Sequence, residues 1–342
     1  MATAIEIINA IRSNQDEIYQ ARVPLATRTN LTQVGDAITT TKNIMNDFMS
    51  ALIDKVAFSN IMSKMYKNPL AILKGTQVPY GSIIEDLFVN PATDIGYQSD
   101  GTFLLKTTTP DGKSAYYGLN RKSMYPLSIN QAQLQHAFRS EQEFMSFYNS
   151  IVASLYSGDN IDEFMLMKNM LGSMVEKGKM VIANADITTT ANCKELAKAI
   201  SNTSKYFTFN NTAYAGYNKE NATAIEGGTL TPAQTFCPIE DQCLILRADV
   251  QTEINFEVLA TMFHMELAQL EAMTLLVDDI PSTTYDVYAM LVDRKAIQVR
   301  DNVYKVESEY IKSNLTWNVW LHHWQFMYLS MFGNAVAFAK AK

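Results

Sequence analysis

Apolar residues recur every three or four positions over several stretches of the chain, and every second position over shorter ones. The first 35 residues mix polar and apolar positions with weak periodicity, which predicts an extended arm with one short helix near Glu6 to Arg12. Asp36 opens a better helical segment to about Val56, with Ile44, Met45, Phe48, Leu52 and Val56 at helical spacing. Ala57 to Ile72 reads equally as further helix or a short strand. Tyr80 to Val89 is strand-like, and Ala115 to Ile129 is a second strand. Between them lie Asn90-Pro91, Asp100-Gly101 and Pro110-Asp111-Gly112, turn signals in which Gly takes positive φ and Pro presets the first turn residue. The pair predicts a long β-hairpin. An isolated ribbon is marginal in water, so this one should lie against something else, and a neighbouring subunit is the natural candidate.

Residues 130 to 177 are the strongest helical segment. Leu134, Phe138, Met145, Tyr148, Val152 and Leu155 keep helical spacing. Gly158-Asp159-Asn160 interrupts, with Asp159 or Asn160 as N-cap of a second half through Ile161, Phe164, Met167, Leu171 and Met174, Lys168 on its polar side. Nearly collinear halves would run about 60 to 70 Å at about 1.5 Å per residue. Beyond Met180 helices and strands alternate: a helix over Cys193 to Tyr206, a buried strand over Cys243 to Leu246, a helix from Asp249 to about His264, and a strand over Thr274 to Val277. Tyr288 to Val292 and Ala296 to Arg300 predict a hairpin around Asp293-Arg294-Lys295, and Thr203 to Thr235 a long surface loop. Tyr304 to Phe338 is mostly strand, with Leu315, Trp317, Val319 and Leu321 alternating with Thr316, Asn318 and Trp320. The class is therefore α+β.

Composition narrows the function. Of 342 residues 47% are hydrophobic and only 18% charged, which suits a subunit that commits surface to neighbours as well as an enzyme with a large core. The net charge of −7, without a basic run, excludes a protein that grips nucleic acid by neutralising phosphates. It is compatible with the inner wall of a nucleic-acid container. Three cysteines, Cys193, Cys237 and Cys243, make no disulfide framework and fit a reducing cytoplasm. The N-terminus has no signal-peptide pattern, and no window reaches the roughly 18 apolar residues of a membrane span.

Chemistry is sparse. His322 and His323 are neighbours on a strand and face opposite sides, and His136 and His264 lack a zinc-binding spacing, so no metal site is expected. Gly227-Gly228 lacks the residues of a phosphate loop. Asp278 and Asp279 follow an apolar strand, where carboxylates often do catalysis, but a solvated turn before Pro281 explains them better. Lys122, beside Arg121, reads as solvated charge rather than a cross-linking group. Trp317, Trp320, Trp324, Phe326 and Tyr328 have no interleaved cation and read as packing, not base stacking. Met165, Met167, Met170 and Met174 crowd one helix, as core filling or as an adaptable surface. No catalytic, cofactor-binding or metal-ligating residue is expected.

The order of parts resembles the Hong Kong-type fold of tailed-phage major capsid proteins. Val23-Pro24-Leu25-Ala26-Thr27, Val34-Gly35, Asn46-Asp47-Phe48 and Leu52-Ile53-Asp54 are similar to the arm of capsid proteins from small podoviruses of the phi-twenty-nine group. So are Asn68-Pro69-Leu70, Lys74-Gly75 and Ile84-Glu85, and later Leu291-Val292-Asp293, Val299 to Asn302, and Phe332 with Asn334-Ala335-Val336-Ala337-Phe338. The matches are colinear over nearly the whole chain. The resemblance implies an N-terminal arm and first helix over 1–60, an extended loop over 61–129, a peripheral domain with a spine helix over 130–180, an axial domain over 181–302, and strands returning to the peripheral domain over 303–342. It implies a major capsid protein, not an enzyme, that self-assembles into hexamers and pentamers around double-stranded DNA without sequence-specific binding or a membrane. The expected partners are the chain itself, a scaffolding protein and a portal protein; assembly is expected in the host cytoplasm, with no decoration domain in this chain. A cellular encapsulating compartment of the same fold and a cytoplasmic α+β enzyme using Asp278 and Asp279 are the alternatives.

Overall fold

The computed structural model describes residues 3–58, 66–94, 96, 107–253 and 274–342. Along the chain come α1 (Ala4–Ser13), α2 (Glu17–Arg22), α3 (Leu31–Thr40), α4 (Lys42–Phe58), β1 (Ile84–Val89), β2 (Gly112–Tyr117), β3 (Arg121–Asn130), α5 (Gln131–Ala137) and α6 (Glu141–Glu176). Then follow β4 (Val181–Asn184), α7 (Thr190–Phe207), α8 (Gly216–Glu220), α9 (Ala222–Glu226), β5 (Gln242–Arg247), α10 (Ala248–Glu253), β6 (Thr274–Val277), β7 (Tyr285–Asp293), β8 (Ile297–Ile311), β9 (Thr316–Leu329) and β10 (Ala335–Ala341). These divide into two units with separate cores.

The first unit comprises Met1–Asn68, Arg121–Glu163 and Asp301–Gln325. Its sheet has the order β3-β9-β8, with β3 and β9 antiparallel and in register from Arg121↔Gln325 to Asn130↔Thr316. The alternation expected around Trp317 is present: Trp317, Val319, Leu321 and His323 are buried, and the residues between them are partly exposed. The N-terminal segment is not an extended arm. Thr3 and Glu6 form a capping box that starts α1, and Ile7, Ile8 and Ile11 enter the core. Polar side chains fix the chain where periodicity is weak. The Arg12 guanidinium donates to the carbonyls of Val23 and Gln20 at 2.7 Å each, and Asn9 exchanges two hydrogen bonds with the Ala26 backbone. Gly35 is required by close approach, since a Cβ there would lie 2.4 Å from Phe138 Cβ. Phe138 in turn packs tilted against Phe48 and Phe144, with ring centroids 5.5 Å apart in each pair.

The long helix also differs from expectation. The break falls at residues 138–140, where Ser140 Oγ accepts from the Glu143 amide, and α6 runs through Gly158-Asp159-Asn160 without interruption. Its 36 residues span about 54 Å at about 1.5 Å per residue. Glu141–Glu163 belong to the first unit and Phe164–Glu176 to the second.

The second unit comprises Pro69–Asn120, Phe164–Arg300 and Phe326–Lys342. Its mixed sheet has the order β4-β10-β7-β5-β6, with β7 antiparallel to both neighbours and the outer pairs parallel. β5 is buried from Gln242 to Leu246 and packs with β7, β10 and α7 around Leu196, Ile200, Phe207 and Phe338. Near-continuous burial suits strands covered on both faces. The turn at Asp293-Arg294-Lys295 exists, closed by Ala296 N donating to Asp293 O at 2.9 Å, but β7 and β8 enter different sheets instead of pairing. Residues 203–235 are a connection carrying the end of α7 and the short helices α8 and α9. The expected helix to His264 is described only as α10, to Glu253; the rest lies outside the described residues.

Candidate functional site

Alternation within β1 and β2 builds a two-faced ribbon. They pair antiparallel from Ile84↔Tyr117 to Val89↔Gly112. The second arm of the expected hairpin is split: only 112–117 pairs with β1, while β3 joins the sheet of β9. One face of the ribbon is held by its own unit. Tyr117 stacks on Tyr328 at 3.7 Å between ring centroids, and Phe88 on Phe332 at 5.4 Å. At the far end Asn90 donates to Pro232 O (2.8 Å) and accepts from Gln234 N (2.9 Å). Asp111 accepts from Lys113 Nζ (2.7 Å), Thr231 Oγ1 (2.6 Å) and Asn90 Nδ2 (2.6 Å), which together hold its carboxyl down at about 2. The opposite face is exposed among the described residues and sets Leu87, Val89 and Tyr116 beside Glu85 and Ser114, with Tyr116 OH donating to Glu85 Oε1 at 2.9 Å. Leu87 is 70% exposed and Tyr116 67%, with Ile83 and Val89 alongside. Residues 95 and 97–106 of the connecting segment lie outside the described residues.

A second site is buried in the first unit. The core-facing stripe of α6 runs Phe144, Tyr148, Ile151, Leu155, then Asp159 and Glu163 at the same spacing. Arg121 from β3 meets them: its side chain and that of Asp159 are each 3% exposed, Nη2 lies 2.7 Å from Asp159 Oδ1, and Nη1 lies 3.9 Å from Glu163 Oε1. Arg121 also donates to Gln325 Oε1, Ser123 Oγ (3.1 Å) and Tyr125 OH (2.9 Å). His323 Nδ1 is 2.7 and 2.8 Å from the two Asp159 oxygens, and its Nε2 is 3.0 Å from Asp301 Oδ1. Ligand atoms of Glu163, Asp301 and His323 come within 4.8 Å of one another. The cationic place between them is filled by protein: Gln325 Nε2 donates to Glu163 Oε1 and Asp301 Oδ1 at 2.5 Å each, and Asn68 Nδ2 donates to Glu163 Oε2 at 2.8 Å. The group is a hydrogen-bonded network, as buried charges require.

Sequence reasoning missed this network. In the sequence Arg121 stands only as the neighbour of Lys122, and Asp159 reads as a helix cap. The usable signal is two carboxylates at core positions of an otherwise apolar stripe. The other candidates separate. Asp278 and Asp279 are not merely a solvated turn: each accepts from buried Lys168 Nζ at 2.5 Å. Burial opposes the charge on Lys168, but these two bonds outweigh it and hold its ammonium above its ordinary value. Lys122 is exposed over the Trp324 ring at 5.1 Å, and His322 turns to the face opposite His323. The three thiols are buried and unbridged, and burial pushes the Cys243 thiol up to about 12. Gly227 and Gly228 end α9, and His264 lies outside the described residues.

The family model described as "Phi29-like phage major capsid protein" matches residues 8–339. The chain belongs to that family. The major capsid protein of Bacillus phage PZA is 30% identical over 337 residues, covering 97% of this chain and 72% of the relative. That of Streptococcus phage Cp-1 is 26% identical over 350 residues, covering 96% and 92%. A solved capsid of Staphylococcus phage Andhra shares the fold with a TM-score of 0.66 at 14% identity, covering 82% of this chain and 86% of that one. The fold is the α+β Hong Kong-type capsid fold. A phi29-like major capsid protein is a structural protein of the phage head and not an enzyme, so the Lys168–Asp278–Asp279 group and the buried network act on the subunit's own architecture. The enzyme and encapsulating-compartment alternatives find no support in these relatives.

Proposed function

We propose that the chain assembles with copies of itself into hexamers and pentamers that close an icosahedral or prolate head around double-stranded DNA. Assembly proceeds in the host cytoplasm, on a scaffolding protein and from a portal. In this reading 61–129 supplies the extended loop up to β3, 130–180 with β3 and the strands of 303–342 other than β10 the peripheral domain, and 181–302 with β10 the axial domain. The observation that carries it is the two-faced ribbon: one face is anchored by Phe88 and Tyr117, and on the other Leu87, Val89 and Tyr116 are exposed among the described residues. Apolar patches of this kind mark contact surfaces, and repeated modest contacts become a stable container once symmetry closes. The acidic net charge agrees with a wall that does not hold DNA tightly.

The test is a Leu87→Glu, Tyr116→Glu double variant. Both side chains are mostly exposed in the subunit, so circular dichroism should be unchanged while negative-stain microscopy, with scaffolding protein added, shows no shells. Normal particles would remove the ribbon from the assembly contacts.

A further inference from the structure

We propose that His323 is a proton-operated latch within the first unit: the doubly protonated ring clamps Asp159 of α6 and Asp301 of β8 from opposite sides, and loss of one proton in alkaline solution releases this layer. The geometry carries the inference. Both ring nitrogens face carboxylate oxygens, at 2.7 and 2.8 Å on Asp159 and 3.0 Å on Asp301. A neutral imidazole has one N–H and can donate to only one of them; the other nitrogen lone pair would then face a carboxylate. Only the imidazolium satisfies both sides.

The surrounding charges agree. From α6 the ring is faced by Asp159, with Glu163 near; from β8 by Asp301 and by Tyr304 edge-on at 4.7 Å; and from β3 the Arg121 charge acts on it. Gln325 and Asn68 are neutral donors. Among the described residues Asp159, Glu163 and Asp301 set three carboxylates about Arg121 and His323, so loss of the ring proton removes one of the positive charges that face them. Burial disfavours the charged ring, and Arg121 opposes it further, but the hydrogen bonds to Asp159 and Asp301 and the Asp159 charge win, so His323 titrates above an ordinary histidine. A raised folded-state value fixes the sign. The stabilisation is complete below the unfolded value of about 6.5 and is lost as pH rises through the folded value.

The experiment follows thermal unfolding of the full-length subunit by tryptophan emission between about pH 6 and about pH 9. All three tryptophans, Trp317, Trp320 and Trp324, lie in the first unit. The wild-type midpoint should fall by about 3 °C or more over this range beyond the change seen in His323→Gln, which has no proton to lose. Parallel profiles for the two proteins would overturn the proposal. Should the variant fail to fold, NMR of the 15N-histidine-labelled wild-type subunit decides: both His323 nitrogens protonated near neutral pH supports the latch, and a single neutral tautomer refutes it.

Discussion

Arg121→Ala is expected to lower the stability of the first unit by about 3–5 kcal/mol, the range seen when one partner of a buried ion pair is removed. The magnitude follows from burial. Arg121 and Asp159 are each 3% exposed at the side chain, so solvent cannot replace the guanidinium. An exposed pair would contribute less than about 1 kcal/mol. Truncation also removes the donors to Gln325, Ser123 and Tyr125. The loss should shrink in acid, because an unpaired buried carboxylate is relieved by protonation. Replacing the whole ionic group by apolar residues of similar volume should cost less than Arg121→Ala alone. Urea unfolding read by tryptophan emission measures all three. A loss near that of an exposed pair would show that water reaches Asp159.

The same residues explain what the sequence reveals and what it hides. β9 and α7 are legible because each buries one regular face, and β5 and β6 because they are short continuous apolar runs between turn signals. α1 is legible near Glu6 to Arg12, but the fold of the segment after it is hidden because α2 is short and the return is held by particular polar bonds, Arg12 to Val23 and Gln20, and Asn9 to Ala26, which hydrophobic spacing does not record. β3 is legible as a strand but not in its partner. Arg121↔Gln325 pairs residues 204 apart, and nothing local distinguishes that pairing from continuation of the β1–β2 ribbon. Asp159 misleads for a related reason. Gly-Asp-Asn is a strong local helix stop, and a tertiary partner overrides it. Gly158 costs α6 some helix propensity and nothing else, for a Cβ there would meet only Tyr125 Cδ1 at 3.8 Å.

Gly172 presents the opposite case and the second large effect. In an exposed helix interior Gly→Ala stabilises by about 1 kcal/mol. Here a Cβ would sit 1.7 Å from the carbonyl oxygen of Pro281 and 2.8 Å from its carbonyl carbon, both backbone atoms. The neighbouring contacts prevent an easy shift. Lys168, one turn earlier, is ion-paired to Asp278 and Asp279, and Glu176, one turn later, accepts from Thr283 Oγ1 at 2.8 Å. Residues 168, 172 and 176 thus dock one face of the helix along 278–283, with the glycine as the point of closest approach. Gly172→Ala should therefore destabilise the second unit by about 3 kcal/mol, the upper part of the range for overpacking. Gly158→Ala, in the same helix, should be neutral or stabilising. Cys193, Cys237 and Cys243 are all buried in the second unit and report on it. Their reaction with a thiol reagent follows the open population, so Gly172→Ala should speed it by a factor of about 100. Tryptophan emission from the first unit should be unmoved at denaturant concentrations where the thiols already react. Unchanged thiol reactivity would mean that the 278–283 segment yields to the added methyl, and that Lys168 and Glu176 do not fix its register.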